Sequence, residues 1–232
     1  MKVSNETIFW TRDVCNAAEG PQAFVLLTDL DDPALRHLTQ LAPTPQDLAR
    51  AEAYRGADKE RFLARRAVLR RLVARKLGCA AEAASIIVDD FGAPRLSAPH
   101  ISPDAELFLS ISRRGALAAL AVASRPIGVD IEISGTPEEV PTAMLHGNEA
   151  ARLAPLDQSA RHRAFLEIWT LKEAYLKALR TGLLREPAQI EIRLDEGQIR
   201  LLDCGRPVAT TTCETRTERL GGNTIIVACV ML

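Results

Sequence analysis

The amino-acid sequence predicts an α+β fold built from two similar halves, and three observations lead there. Two long stretches, Asp58 to Leu77 and Ser159 to Leu179, repeat apolar residues at helical period. Each is accompanied by several short strand-like runs, and the coarse order of elements recurs along the chain. A break at Arg125-Pro126 places a junction near Ser124 to Pro126, which gives halves spanning 1–124 and 125–232. At 232 residues, with 47% hydrophobic and 25% charged residues, the chain can bury a sizeable core and reads as an ordinary globular protein. A formal net charge of −1 supplies no global field for nucleic acid or a membrane surface. No apolar run approaches the ~20 residues of a membrane span, and Met1 to Trp10 lacks a signal-peptide pattern. The 5 cysteines are scattered without a CxxC, and the 4 histidines share no ligand spacing. A reducing cytoplasm without structural zinc or disulfides is expected.

Taken in order, Ile8 to Val14 and Phe24 to Thr28 read as strands, and Asp29 to Pro45 as a loop punctuated by proline and acids. Helical pattern starts at Gln46. In Asp58 to Leu77, Phe62, Leu69, Leu72, Val73 and Leu77 keep the period and Gly78 is the stop. Arg61, Arg65, Arg66, Arg70, Arg71, Arg75 and Lys76 crowd this helix, and a basic face turned to water is the plain expectation for most of them. Ile86 to Asp90 is the next strand, followed by turn chemistry at Phe91-Gly92-Ala93-Pro94. Leu107 to Ser112 and Ala116 to Ala123 flank an Arg113-Arg114-Gly115 turn, and Ile127 to Ile133 is a further strand. Asn148 to Leu156 and Ser159 to Leu179 are helical, ended by Gly182 and Pro187. Strands at Ile190 to Leu194, Gln198 to Leu202, Pro207 to Cys213 and Thr224 to Met231 close the chain.

Chemistry concentrates at two places. In Gly128-Val129-Asp130-Ile131-Glu132, residues two apart share a strand face, so Asp130 and Glu132 aim two carboxylates the same way. A hard cation such as Mg²⁺ would neutralise them, and an exposed polar strand face would serve equally. In Trp169-Thr170-Leu171-Lys172-Glu173-Ala174-Tyr175-Leu176-Lys177, positions 169, 173 and 177 lie near one helix face. Glu173 could complete a metal shell or act as general base, and Lys177 could grip a phosphate; a surface ion pair beside a core tryptophan is the plainer alternative.

Together, Ile127-Gly128-Val129-Asp130-Ile131-Glu132 and the WxxKEAxxK run from Trp169 to Lys177 resemble the 4′-phosphopantetheinyl transferase superfamily, in its longer single-chain form of two related halves. The resemblance runs from about Gln46 to Pro187. It implies transfer of 4′-phosphopantetheine from coenzyme A to a serine of an apo acyl or peptidyl carrier protein, with release of 3′,5′-ADP. It also implies Mg²⁺ held by Asp130, Glu132 and Glu173, with Glu173 taking the serine proton directly or through water. Lys177 would hold a pyrophosphate oxygen, Ser110 would steady the pyrophosphate, and coenzyme A would lie between the halves. Trp169 would pack to fix its helix. Lys172 would pair with a metal-site carboxylate or substrate, or stay at the surface. In Arg61-Phe62-Leu63-Ala64-Arg65-Arg66, Arg66 resembles the family arginine near the phosphates, with Arg61 as second candidate. Gly182 matches a family loop glycine. Two positions depart from the family: Ala93 stands for lysine in Gly-Lys-Pro, and Ile111 for histidine in SHS. Arg95 could compensate for the first. The segment Pro137 to His162, with Met144, Leu145, Arg152, Leu153, Arg161 and Arg163, is where the carrier protein would dock. A monomer is expected. Two other readings stay open: a degenerate relative that binds coenzyme A or a carrier protein without turnover, and a Mg²⁺-dependent phosphoesterase using the same acids.

Overall fold

In the computed structural model, which describes residues 8–9, 23–33, 41–89, 92–97, 106–181, 184–195, 198–210 and 212–232, the apolar runs of the first half pair into one antiparallel sheet. Its strands are β1 (Ile8–Phe9), β2 (Ala23–Asp29), β3 (Ser85–Val88), β4 (Pro94–Ser97), β5 (Phe108–Arg114) and β6 (Leu117–Ala123), in the order β1-β2-β6-β5-β4-β3. The register aligns Leu109, Val122 and Phe24 across three strands, and Ile111, Leu120 and Leu26 beside them. A side-chain period of two puts all six on one sheet face. Helix α2 (Gly56–Leu77) covers that face with Val68, Leu69, Leu72 and Val73. It ends where Gly78 takes a left-handed φ of 64°, a conformation in which a Cβ would be strained. The preceding α1 (Pro45–Ala51) starts with a capping box: the Thr44 hydroxyl accepts from the Asp47 amide (3.1 Å), and the Asp47 carboxylate accepts from the Thr44 amide (3.2 Å).

The basic run on α2 does not form the water-facing stripe expected of it. Arg65, Arg66 and Arg70 are buried. Arg66 donates from Nε to Asp47 Oδ1 (2.5 Å) and from Nη2 to the Ile86 carbonyl, while Arg70 donates to the carbonyls of Ala84 (2.8 Å) and Ala42 (2.7 Å). Long guanidinium side chains thus tie α2 to α1, to β3 and to the residue before it, because they reach carbonyls that an aliphatic residue would leave unpaired.

The chain divides into two compact units, Met1–Pro126 and Ile127–Leu232. The second holds β7 (Ile127–Ile133), α3 (Gly147–Leu153), α4 (Gln158–Leu179), β8 (Ile190–Asp195), β9 (Gln198–Asp203), β10 (Arg206–Pro207), β11 (Thr212–Leu220) and β12 (Asn223–Met231). These strands form two antiparallel three-stranded sheets, β11-β12-β7 and β10-β9-β8. Asp157 caps α4 by accepting from the Ala160 amide (2.9 Å). The core joins Phe165, Ile168, Leu171 and Tyr175 of α4 to Ile190 and Ile192 of β8 and to Ile226, Ala228 and Val230 of β12. Among the described residues no helix is long and apolar enough to cross a membrane.

Several elements differ from expectation. The strand expected at Pro207 to Cys213 is split: β10 stops at Pro207, and β11 runs on to Leu220 through Thr-Cys-Glu-Thr-Arg-Thr-Glu-Arg-Leu. That mostly half-buried edge strand carries no apolar alternation to announce it. β4 forms where only a turn was expected. α4 ends at Arg180, itself left-handed at φ 58°, while Gly182 lies outside the described residues, as do Phe91 and the stretch of the first expected strand beyond Phe9.

Candidate active site

Strand β7 and helix α4 meet at backbone distance. A Cβ placed on Gly128 would overlap the Ala174 carbonyl oxygen and lie 2.6 Å from the Ala178 amide nitrogen, so only glycine lets the helix settle there. The even-numbered face of β7 is therefore the face that α4 covers, and Asp130 and Glu132 follow Gly128 along it. Asp130 is 1% exposed; Glu132 is half-buried. Lys177, one turn beyond Glu173 on α4, places Nζ 2.5 Å from Asp130 Oδ1. Glu173 is half-buried. Trp169 stacks on Phe165 with ring centroids 6.2 Å apart and packs against the core, in keeping with its expected structural part.

Among the described residues, no three His, Cys, Asp or Glu side chains stand close enough together to form a metal cage by themselves. The donor set nonetheless suits Mg²⁺. Asp130 and Glu132 are hard oxygen donors on one strand face, and Glu173 sits on the helix packed against it. Mg²⁺ is ordinarily held by one or two carboxylates plus waters and substrate phosphates, so a closed protein cage is not its usual site.

Lys172 corrects the sequence reading. It is fully buried and meets neither a metal-site carboxylate nor the surface. Its Nζ lies 2.6 Å from Glu149 Oε2 and donates to the carbonyls of Met144 and Pro187, both at 3.0 Å. Burial pushes its pKa down from the ordinary lysine range, and the hydrogen bond it donates to Glu149 opposes that shift. The sequence held a signal for this: Lys172 falls four residues after Ile168 and three before Tyr175, on the core face of α4.

In the first unit, three arginines and one serine were expected at coenzyme A. Arg66, expected at the phosphates, is 3% exposed and engaged by Asp47 and Ile86. Arg61 forms a two-pronged pair with Asp31 (Nε–Oδ1 2.9 Å, Nη2–Oδ2 2.5 Å) and reaches Asp58 at 3.4 Å. Arg95 is exposed and pairs with Asp89 (2.9 Å), whose other carboxylate oxygen accepts from the Ala93 amide. Ser110 is 3% exposed on β5, on the face away from α2. Ile111 is partly buried and packs against the core under α2.

Arg65, read from the sequence as part of the water-facing basic run, lies inside. It is 7% exposed, its Nε is buried with no hydrogen-bond partner, and its guanidinium lies 5.5 Å from the Phe62 ring centroid, which in turn stacks on Tyr54. Burial pushes its pKa down to about 10, and the positive charge of Arg113 adds to the effect. Arg113 is exposed at the far end of the β5 face that carries Leu109 and Ile111. A buried guanidinium nitrogen without a hydrogen bond, in the field of a second cation, is a place where an anion would be favoured.

The expected docking segment is only partly a surface. Leu145 and Leu153 are buried in the core, Arg152 donates to the Ile192 carbonyl (2.6 Å), and Arg161 caps the carbonyls of Leu153, Ala154 and Leu156. Arg163 is exposed and Met144 half-buried.

Comparison with known proteins bears on this arrangement. Residues 126–229, which include β7 and α4, match the family model described as "4'-phosphopantetheinyl transferase superfamily". Over 169 residues the chain is 30% identical to a protein of Synechocystis sp. named "Putative 4'-phosphopantetheinyl transferase slr0495", covering 70% of this chain and 67% of that one. Over 81 residues it is 32% identical to "4'-phosphopantetheinyl transferase gsp" of Aneurinibacillus migulanus, covering 34% of each.

Proposed function

The chain belongs to the 4′-phosphopantetheinyl transferase superfamily, and from that premise we propose that it moves 4′-phosphopantetheine from coenzyme A to a serine hydroxyl of an apo carrier protein in a Mg²⁺-dependent reaction. The observation that carries the reading is the backbone contact between β7 and α4 at Gly128. It brings a two-carboxylate strand face under a helix bearing a carboxylate and an ammonium one turn apart.

Asp130, Glu132 and Glu173 are the residues that would hold Mg²⁺. When bound, the ion would neutralise charge on the pyrophosphate oxygens. The serine Oγ attacks the β-phosphorus, forming a new P–O bond, and the bond from that phosphorus to the bridging oxygen breaks with 3′,5′-ADP departing. Glu173 accepts the serine proton, directly or through water. Lys177 turns from Asp130 to a phosphate oxygen and meets its charge as a compact cation. Arg65, whose buried Nε has no hydrogen-bond partner, and Arg113, whose charge acts on it, are the candidates for a phosphoryl group of coenzyme A; Arg61, Arg95 and Ser110 are outer candidates, and Arg66 serves the scaffold.

The reading is tested by incubating the protein with coenzyme A, Mg²⁺ and a set of apo carrier proteins, then weighing the carriers by mass spectrometry. A phosphopantetheine adduct on serine is expected. Release of phosphate or nucleotide without any adduct would point to a phosphoesterase instead.

A further inference from the structure

The least expected group in the second unit is the Lys172–Glu149 pair. Both side chains are fully buried, and both carboxylate oxygens and the ammonium are hydrogen-bonded. The ammonium has three donors and three acceptors: Glu149 and the carbonyls of Met144 and Pro187. Glu149 accepts in turn from the His146 amide at Oε2 (2.8 Å) and from the Ile192 amide at Oε1 (2.7 Å). One ion pair therefore joins the turn before α3, the start of α3, α4, the turn before β8, and β8 itself. Buried pairs of this kind add little net stability over well-packed apolar residues of similar volume, so stability alone does not account for it. Directional bonds, unlike apolar contacts, resist sliding and rotation.

The place of the pair on α4 says what would rotate. At about 100° per residue, Lys172 lies roughly 200° and 240° around the helix from Ala174 and Ala178, the residues seated on Gly128. The helix is thus pinned on nearly opposite sides, by the β7 backbone and by the ion pair. Glu173 and Lys177 occupy the flank between the pins.

We propose that the Lys172–Glu149 pair is a positioning device for the reaction, fixing the rotation of α4 so that Glu173 and Lys177 stay aimed at the β7 carboxylates. This rests on the assignment of Glu173 and Lys177 made above. The pair touches no reacting atom; it acts through its neighbours on the helix.

Three variants test it: Glu149→Asp, which keeps both charges but withdraws the carboxylate by one methylene; Lys172→Met/Glu149→Leu, which replaces the pair with apolar bulk; and Glu173→Gln as a control. For each, melting temperature, kcat and KM for coenzyme A, and the Kd of the metal-free protein for Mn²⁺ alone, by electron paramagnetic resonance, are measured. Relative to Glu149→Asp, the apolar variant should regain melting temperature, while both lose about tenfold or more in kcat and bind Mn²⁺ severalfold more weakly. Wild-type kcat and Mn²⁺ affinity, within about twofold, in either folded strut variant overturn the proposal; if the apolar variant does not fold, Glu149→Asp decides alone by the same readouts. A Glu173→Gln protein indistinguishable from wild type overturns the site assignment and this proposal with it. A crippled Glu173→Gln beside wild-type-like strut variants overturns this proposal only.

Discussion

Asp130 is almost fully buried, and the side chain within 2.5 Å of it is an ammonium. Removing one partner of such a pair is costlier than never having built it, because the other charge stays behind. Asp130→Asn keeps the shape and removes the charge, so it should leave a folded protein whose transfer rate falls by about 100-fold or more; Glu132→Gln and Glu173→Gln should act in the same direction. Circular dichroism checks the fold, and carrier mass checks the rate. Full activity in Asp130→Asn would remove it from the site. A second contrast separates adjacent arginines. Arg65→Met and Arg113→Met should each raise the KM for coenzyme A by about tenfold or more, since a charge-assisted hydrogen bond is worth ~1.5–3 kcal/mol. Arg66→Met should instead lower the melting temperature, because Asp47 would be left buried without its cation and with only the Thr44 amide, a loss of ~3–5 kcal/mol. If Arg66→Met shifts KM and not stability, the two arginines have been given each other's parts.

The pairing of β7 with α4 depends on the absence of one atom. Gly128→Ala would drive a Cβ into the Ala174 carbonyl, and backbone on both sides leaves no flexible neighbour to yield. The variant should lose several kcal/mol, measured by urea unfolding, or fail to fold; a near-normal melting curve would show that the helix can lift off the strand without penalty. Strand β8 carries a different dependence. Glu191, only 5% exposed, has its pKa lowered to about 2 by its hydrogen bonds with Arg193, against the effect of burial, with Asn148 assisting. A folded-state pKa below the unfolded value means stabilisation present above the unfolded value near 4.5 and lost as pH falls from there toward 2. Melting temperature should fall through that window in the wild type and fall less in Glu191→Gln. Parallel curves would mean that the Arg193 bond is absent in solution.

For the molecule as a whole, chelation should uncouple fold from turnover. A carboxylate site completed by substrate phosphates is not a folding nucleus. Protein treated with a chelator should keep its melting temperature within a few degrees and lose transfer, and added Mg²⁺ should restore the rate. Undiminished transfer after exhaustive chelation would end the metal assignment. Part of this protein was legible along the chain. A period of two placed Asp130 and Glu132 on one strand face, and helical spacing placed Glu173 and Lys177 on one flank, because backbone geometry repeats whatever surrounds it. The bounds of β7 and α4 followed from the same periodicities, and the paired motifs carried the family. Partner choice was not legible. Arg61, Arg65, Arg66 and Arg70 look alike at helical spacing, and only the fold brings Asp47, 19 residues earlier, against Arg66 and leaves the buried Arg65 Nε without a hydrogen bond among the described residues. The same holds for Lys172, whose burial depends on Glu149 and on a carbonyl of the turn before β8. Neighbours in sequence set which way a side chain points; which charge it meets there is decided by segments that chain direction alone does not bring together.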